Sequence, residues 1–206
     1  MKIGVPKEIK PQENRIGLTP DSVKILTSNG HEVLVENNGG FEAGFYNEQY
    51  KNAGAKIIDK AEDIFNDSEI IVKVKEPLSN EVKMIRENQI IFTYLHLAAA
   101  KELTKGLIKS KAVCIAYETV TDDNGRLPLL APMSAVAGRM SIQAGAHSLE
   151  KNQKGRGLLL GGAPGVDPAN VVILGGGVVG ENAAVIATGM QAKVHIVDKS
   201  EKRLEQ

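Results

Sequence analysis

The chain has 206 residues, enough for one large domain or two small ones. Its 25 Lys and Arg residues balance 25 Asp and Glu residues, which argues against a nucleic-acid-binding protein, since such proteins normally carry a basic excess. With 42% hydrophobic and 24% charged residues, 21 glycines and no Trp, the composition is typical of a globular α/β fold with tight turns and not of a disordered chain or a β-sandwich.

The chain carries no sign of membrane insertion or export. Uncharged stretches such as residues 168–180 are much shorter than the roughly 20 apolar residues of a membrane span. The opening MKIGVPKEIK contains charges throughout, which leaves no apolar signal core. The single Cys114 lies inside the apolar run AVCIAY and is expected to be buried in a strand rather than catalytic. We therefore expect a cytoplasmic protein that binds neither membranes nor nucleic acid.

Short runs rich in Val and Ile predict the strands of the fold. The seven runs are KIGV from Lys2, EVLVE from Glu32, EIIVKVK from Glu69, QIIFTYL from Gln89, AVCIAY from Ala112, NVVIL from Asn170 and KVHIV from Lys193. Several are apolar nearly throughout, as parallel strands covered on both faces require.

Helix signals separate these runs. Thr19-Pro20-Asp21 combines a cap, a proline and an acid, and predicts a helix that ends near Gly30. Further helices are expected over residues 47–53, 79–87, 98–108 and 134–151. The alternation of strands and helices predicts parallel sheets with helices on both sides.

A glycine turn near the end of the chain carries a mechanism. Residues 175–180 read Gly-x-Gly-x-x-Gly directly after the predicted strand NVVIL and before a helical stretch to Met190. In this setting Gly175 permits a tight turn, Gly177 permits the close approach of a pyrophosphate, and Gly180 permits packing of the helix on the strand. The phosphates are expected at the helix N-terminus, where free N–H groups and the helix dipole favour an anion.

Asp198 ends the next predicted strand, 23 positions after the first glycine. Its carboxylate is suited to accept hydrogen bonds from the adenosine ribose hydroxyls and to repel a 2′-phosphate, which favours NAD over NADP. Arg203 follows five positions later and softens that preference. A glycine-rich turn without a ligand is the alternative.

Polar residues follow the predicted strands of the first part of the chain. Lys73 and Lys75 lie two apart and are expected on the same face of one strand, with Lys75 at its carboxyl end. His96 follows the next strand, Glu118 ends the one after, and Arg15 lies in the polar loop after the first strand. Because parallel strands place their carboxyl ends at one edge of a sheet, these groups are expected at one rim. They suit a small anionic substrate. The alternative interpretation for each is an ordinary surface residue without a ligand.

At these residues the chain resembles the alanine dehydrogenase/transhydrogenase α-subunit family. The similar runs extend through nearly the whole length: GVPKEIKPQENRIGLTP, KVKEP from Lys73, FTYLHLAA from Phe92, AYETV from Ala116, LPLLAPMSAVAGR from Leu127, and GGAPGVDPANVVILGGGVVG from Gly161. The resemblance implies two Rossmann-like domains with parallel sheets and an NAD-dependent, reversible oxidative deamination of L-alanine to pyruvate and ammonia. Family members are typically hexameric, so a homo-oligomer is implied.

The resemblance also assigns residues to roles. It implies that His96 is the acid–base catalyst and that Arg15 and Lys75 bind the substrate. No metal site is predicted. The implied NAD contacts are Ser134, Gly175, Gly177, Val178, Val179, Gly180, Asp198 and Arg203.

The implied domains are a substrate domain over residues 1–133, and a linking helix with the start of the NAD-binding domain over residues 134–206. Because only two strands of the second domain are present, we expect the front part of a longer enzyme. The family's second catalytic residue, an aspartate, and the segment that completes its substrate domain then lie beyond residue 206. Two alternatives remain: the NAD(H)-binding subunit of a proton-translocating transhydrogenase, or a folded fragment without catalysis.

Overall fold

A computed structural model describes residues 1–205 of the chain. They form two compact units, Met1–Thr121 and a second unit that begins at Asp122. This division falls before the boundary expected after residue 133, and residues 124–127 line the same cleft as the glycine turn of the second unit.

The first unit contains a six-stranded sheet in which all neighbouring strands are parallel, as the sequence predicts. Its strands are β1 (Lys2–Val5), β2 (Glu32–Glu36), β3 (Lys56–Ile58), β4 (Ile70–Val72), β5 (Ile90–Thr93) and β6 (Val113–Ala116). The order across the sheet is β3-β2-β1-β4-β5-β6, so the direction in which successive strands are added reverses between β1 and β4. Open α/β sheets with this order bind ligands beyond the carboxyl ends of the strands at that reversal.

Five helices cover the first sheet: α1 (Pro20–Ser28), α2 (Asn47–Asn52), α3 (Ala61–Asp67), α4 (Ser79–Val82) and α5 (Lys101–Ser110). Thr19 caps α1 as expected, since its hydroxyl accepts a hydrogen bond from the Ser22 amide. The helix predicted over 79–87 ends at Val82, and the one predicted from residue 98 begins only at Lys101, because residues 97–99 form a single 3₁₀ turn.

Both faces of the first sheet are buried, which explains the nearly continuous apolar strands. Along β2, Val33 and Val35 pack into one core cluster while Leu34 packs into the other. Along β4, Val72 and Ile71 divide between the two clusters in the same way. Alternate side chains of a strand point to opposite faces, so each face receives its own apolar set.

The second unit contains α6 (Ala131–Ser148), β7 (Asn170–Leu174), α7 (Val178–Gly189), β8 (Lys193–Val197) and α8 (Glu201–Leu204). Strands β7 and β8 are parallel, with Asn170 opposite Lys193 and Leu174 opposite Val197. Helix α6 begins at Ala131, earlier than expected, because a proline is tolerated in the first turn of a helix. Among the described residues, none of the helices has the length and apolar character needed to cross a membrane.

Candidate active site and nucleotide-binding turn

Four side chains singled out from the sequence follow the carboxyl ends of strands in the first unit. Arg15 lies in the loop after β1, Lys75 follows β4, His96 follows β5, and Glu118 lies in the 3₁₀ turn after β6. Because all these strands are parallel, the four residues belong to the same edge of the sheet. Hydrogen bonds and ring contacts with neighbouring residues hold Arg15, Lys75 and His96 in place.

Arg15 is held by a carboxylate close to it in sequence. Its Nε lies 2.8 Å from Glu13 Oε1 and its Nη2 lies 2.6 Å from Glu13 Oε2, a two-pronged pair. This hydrogen bond from Arg15 lowers the pKa of the Glu13 carboxyl, and the nearby Lys75 ammonium lowers it further. Glu13 therefore interacts electrostatically with both predicted substrate-binding cations.

Lys75 is fixed at both ends of its backbone. Its amide donates to Glu8 Oε1 at 3.2 Å, and its carbonyl accepts a hydrogen bond from the Thr93 hydroxyl at 2.9 Å. The sequence predicted that Lys73 and Lys75 lie in one strand with Lys75 at its carboxyl end, but both lysines follow the strand. Strand β4 ends at Val72, and the Lys73 side chain is fully buried whereas Lys75 is half-buried.

His96 has an unusual backbone conformation and an exposed side chain. It adopts φ 49° and ψ 39°, the left-handed region that few non-glycine residues occupy. Its amide donates to Glu118 Oε1 at 2.7 Å, and its ring stacks on Tyr94 with the centroids 6.0 Å apart. Burial raises the pKa of the Tyr94 hydroxyl, while the nearby Arg15 guanidinium lowers it.

The three predicted substrate-site residues thus share neighbours. Glu13 interacts with both Arg15 and Lys75, and Tyr94 interacts with both Arg15 and His96. An arginine with two-pronged geometry, a second cation and an imidazole at one rim can bind a carboxylate, polarise a neighbouring carbonyl oxygen and transfer a proton.

Several residues of this rim were missed from the sequence. Glu8, Glu13, Thr93 and Tyr94 all contact the predicted residues directly or through their backbone. One signal was present: a lysine inside the apolar run EIIVKVK must be buried beside carboxylates, because an unpaired buried charge is costly. The pattern does not say which of 25 acids supplies them.

The glycine turn of the second unit has the geometry that its spacing predicts. Gly175 has φ 101°, and its amide donates to the Val197 carbonyl at 2.7 Å, which joins the turn to β8. A Cβ at Gly180 would lie 1.9 Å from the Gly175 carbonyl oxygen, so only glycine fits there. A Cβ at Gly177 would meet nothing within 4 Å, so the space in front of this residue is open.

This open space lies at the start of α7, for which Gly177 is the N-terminal cap residue. The first amides of a helix have no acceptor within the helix, and the helix dipole is positive at this end. A glycine that leaves room for a ligand at such an end is the arrangement that binds a pyrophosphate. The donor set and the open space therefore fit a dinucleotide.

Asp198 follows β8 and contacts the turn directly. Its Oδ2 accepts a hydrogen bond from the Gly176 amide at 2.6 Å, and its Oδ1 accepts one from the Ser200 amide at 2.8 Å. The bonds from the Ser200 and Gly176 amides, together with the charge of the Arg203 guanidinium, lower the pKa of this carboxyl. A carboxylate that is already ionised retains lone pairs for ribose hydroxyls.

A cleft of about 1150 Å³ within the second unit runs along the turn. Seven of the eight residues predicted to contact NAD line it: Ser134, Gly175, Gly177, Val178, Val179, Gly180 and Arg203. Asp198 is the exception, although it contacts the turn through the Gly176 amide. The volume suffices for a large ligand, since pockets for drug-sized molecules measure roughly 300–1,000 Å³.

Family models match almost the entire chain. The model described as "Alanine dehydrogenase/PNT, N-terminal domain" matches residues 4–137. The model described as "Alanine dehydrogenase/PNT, C-terminal domain" matches residues 141–206.

Curated relatives are similar over the same length. An alanine dehydrogenase of Halomonas elongata is 56% identical over 205 residues, which is 100% of this chain and 55% of that protein. One of Geobacillus stearothermophilus is 52% identical over 206 residues, again 55% of its length. The chain therefore spans little more than half the length of these relatives.

Solved structures give the same result for the fold. An L-alanine dehydrogenase superposes with a TM-score of 0.91 at 54% identity, covering 100% of this chain and 56% of that one. A transhydrogenase from Sinorhizobium meliloti superposes with a TM-score of 0.82 at 23% identity, covering 61% of its own chain, and shares the fold.

Proposed function

The chain belongs to the alanine dehydrogenase/PNT family, and we propose that it is the N-terminal part of an NAD-dependent L-alanine dehydrogenase. The proposed reaction converts L-alanine, NAD⁺ and water reversibly to pyruvate, ammonium, NADH and a proton. The observation that carries the proposal is the rim of the first sheet, where Arg15, Lys75 and His96 are linked through Glu13 and Tyr94.

The second unit is the proposed nucleotide-binding part. The amides at the start of α7 would hold the pyrophosphate, and Gly177 would leave room for it. Asp198 would accept hydrogen bonds from the adenosine ribose and disfavour a 2′-phosphate. Ser134, Val178, Val179 and Arg203 would line the remainder of the site. When bound, the nicotinamide of NAD⁺ supplies the acceptor for the hydride that leaves the alanine α-carbon.

The first unit is the proposed substrate-binding part. Arg15 would bind the carboxylate of alanine or pyruvate through parallel hydrogen bonds, the geometry in which its guanidinium binds the Glu13 carboxylate. Lys75 would donate to the carbonyl oxygen of pyruvate and so favour attack by ammonia in the reverse direction. His96 would hold and transfer the protons that move during the addition and loss of water, because an imidazole can both accept and donate a proton.

A transhydrogenase subunit is the nearest alternative, because the family includes both activities. Such a subunit exchanges hydride between two nucleotides and has no need of an amino-acid site. The curated relatives at 52–56% identity are named alanine dehydrogenase, whereas the transhydrogenase structure shares 23%. This difference favours the dehydrogenase. A cytoplasmic, homo-oligomeric enzyme, hexameric as implied for the family, is part of the same proposal.

The test is a steady-state assay of the full-length protein that carries this chain. We expect NADH to form when L-alanine and NAD⁺ are supplied, and NADH to be consumed when pyruvate and ammonium are supplied. Exchange of hydride between two nucleotides, with no alanine-dependent reduction, would replace the proposal with the transhydrogenase alternative. The same assay on residues 1–206 tests the third alternative, since turnover by this piece alone would exclude a non-catalytic fragment.

A further inference from the structure

A buried cluster of three charges lies at the sheet reversal between β1 and β4. Lys73 Nζ lies 3.0 Å from Glu8 Oε2 and 2.8 Å from Glu81 Oε1. The side chains of Lys73, Glu8 and Glu81 are 0%, 2% and 3% exposed. We call these residues the Lys73 cluster. Charged groups buried to this degree must be fully paired, because desolvation is costly.

The Lys73 cluster carries one more negative than positive charge, and backbone amides compensate for it. Glu8 Oε1 accepts hydrogen bonds from the Val74 amide at 2.6 Å and the Lys75 amide at 3.2 Å. Glu81 Oε2 accepts one from the Leu78 amide at 2.8 Å. All four carboxylate oxygens thus accept a hydrogen bond. Of the two carboxylates, only that of Glu8 contacts the backbone of Lys75.

Glu8 takes the place of a missing strand partner. Strands β1 and β4 pair only at Ile3 with Ile70 and at Gly4 with Ile71, and beyond these residues they are not paired. On the other side the ladder continues, since the Tyr94 amide donates to the Val74 carbonyl at 3.2 Å. The Val74 and Lys75 amides that face the reversal are therefore bound by a side chain instead of by β1.

We propose that Glu8 is a positioning residue for Lys75. By binding two consecutive amides, its carboxylate fixes the backbone from which the Lys75 side chain extends to the substrate. The Thr93 hydroxyl fixes the same residue from the other side, at the Lys75 carbonyl. This inference rests on the proposed function, in which Lys75 donates to the carbonyl oxygen of pyruvate.

The test compares Glu8→Gln with Glu81→Gln in the full-length protein. In Glu8→Gln the new NH₂ group faces donors in either orientation, Lys73 Nζ on one side and the two amides on the other. Glu81→Gln makes the same change of charge beside the same lysine without touching the Lys75 backbone. We expect Glu8→Gln to raise KM for pyruvate about 10-fold or more, with KM for NADH unchanged, because small misplacements of a substrate-binding group are costly. Glu81→Gln should lower Tm but leave both KM values within about twofold.

Amide hydrogen exchange of residues 73–78 provides a readout that does not need activity. Faster exchange at Val74 and Lys75 in Glu8→Gln, and not in Glu81→Gln, supports the proposal. Equal changes of KM in the two variants, or a folded Glu8→Gln variant with a normal KM for pyruvate, overturn it. If the wild-type protein does not act on alanine, the proposed function fails. The hydrogen-exchange data still report whether Glu8 holds the Val74 and Lys75 amides.

Thr93→Val covers the case in which Glu8→Gln does not fold. It removes only the hydroxyl that donates to the Lys75 carbonyl and preserves the shape of the fully buried side chain. We expect KM for pyruvate to rise about threefold, on the scale of one lost neutral hydrogen bond, and KM for NADH to stay constant. An unchanged KM for pyruvate in a folded Thr93→Val variant would overturn the claim that hydrogen bonds to the Lys75 backbone position its side chain.

Discussion

Glu118 accepts a hydrogen bond from the backbone amide of His96 at 2.7 Å, and thereby stabilises a left-handed residue at the end of β5. The same carboxylate accepts from the Leu95 amide at 3.1 Å. Glu118→Ala leaves both amides without this acceptor, which costs about 1–3 kcal/mol in stability. It also frees the His96 backbone, so kcat should fall about 10- to 100-fold. Glu118→Gln retains a carbonyl oxygen that can accept these bonds, so its kcat should fall much less. Equal kcat in Glu118→Ala and Glu118→Gln would contradict the role of Glu118 in holding the His96 backbone.

His96 itself can be tested with little disturbance of the fold. Its side chain is exposed, and asparagine tolerates the left-handed conformation better than most residues. We therefore expect His96→Asn to keep the wild-type Tm and to lower kcat for alanine oxidation by about 10²–10⁴-fold, the usual contribution of an acid–base group. Near-normal turnover of this variant would remove His96 from the mechanism.

Two glycines of the turn should respond differently to the same substitution. Gly177→Ala meets open space, so Tm should hardly change, whereas the Kd for NAD should rise about 10- to 100-fold if a phosphate occupies that space. Gly180→Ala forces a Cβ against the Gly175 carbonyl and should destabilise the protein by about 1–3 kcal/mol or more.

Gly189→Ala is the matched control for these two variants, because it also meets open space but lies at the far end of α7. It should leave NAD binding unchanged. Calorimetric titration and thermal unfolding measure both quantities. A Gly177→Ala variant that binds NAD normally would place the phosphates elsewhere.

Asp198→Asn tests the choice of nucleotide. The substitution removes the negative charge and replaces one acceptor oxygen with a donor, so we expect the Kd for NAD to rise about 10- to 100-fold. Discrimination against NADP should fall at the same time, since the repulsion of a 2′-phosphate is lost. Asp167→Asn is the control, because that side chain is 92% exposed and lies outside the cleft at the turn. An unchanged ratio of the two affinities in Asp198→Asn would exclude this role.

Glu36, the last residue of β2, predicts a dependence of stability on pH. Burial raises the pKa of its carboxyl above 4.5, although the Lys7 amide donates to it and lowers the pKa in part. A raised folded-state pKa means that the stability contributed by the protonated form is lost as the pH rises through that pKa. Glu36→Gln is not subject to this loss, so its Tm relative to wild type should increase between about pH 4 and pH 7. A difference in Tm that is constant or decreases over this range would contradict the assignment.

Local signals of the sequence predicted much of the fold. The Thr19 cap and the Val- and Ile-rich runs act through neighbouring residues, and the structure has α1 and each predicted strand, although β4, β5 and β6 are shorter than expected. Strand β3 and helix α3 were missed. The strand has three residues and lies at the sheet edge, and the helix has no side-chain cap at Lys60.

The glycine turn could be predicted from the sequence more fully than the rim of the first sheet, because its signal is local. The glycine turn depends on residues within one strand, turn and helix, so its spacing specifies its shape. The Lys73 cluster joins Lys73 to Glu8, which lies 65 positions away, and no periodicity indicates which carboxylate meets which lysine. The rim residues were found as a group because strand order aligns the carboxyl ends, but the partners that hold them follow only from packing in three dimensions.

The close approach of α6 and α7 has a mechanical consequence. A Cβ at Gly138 would lie 2.2 Å from the Val179 carbonyl oxygen, so the two backbones touch with no side chain between them. Packed backbones cannot slide past one another without a clash. A tilt of α6 would therefore also displace the second residue of α7, and would couple Ser134, one turn earlier on α6, to the amides at the start of α7.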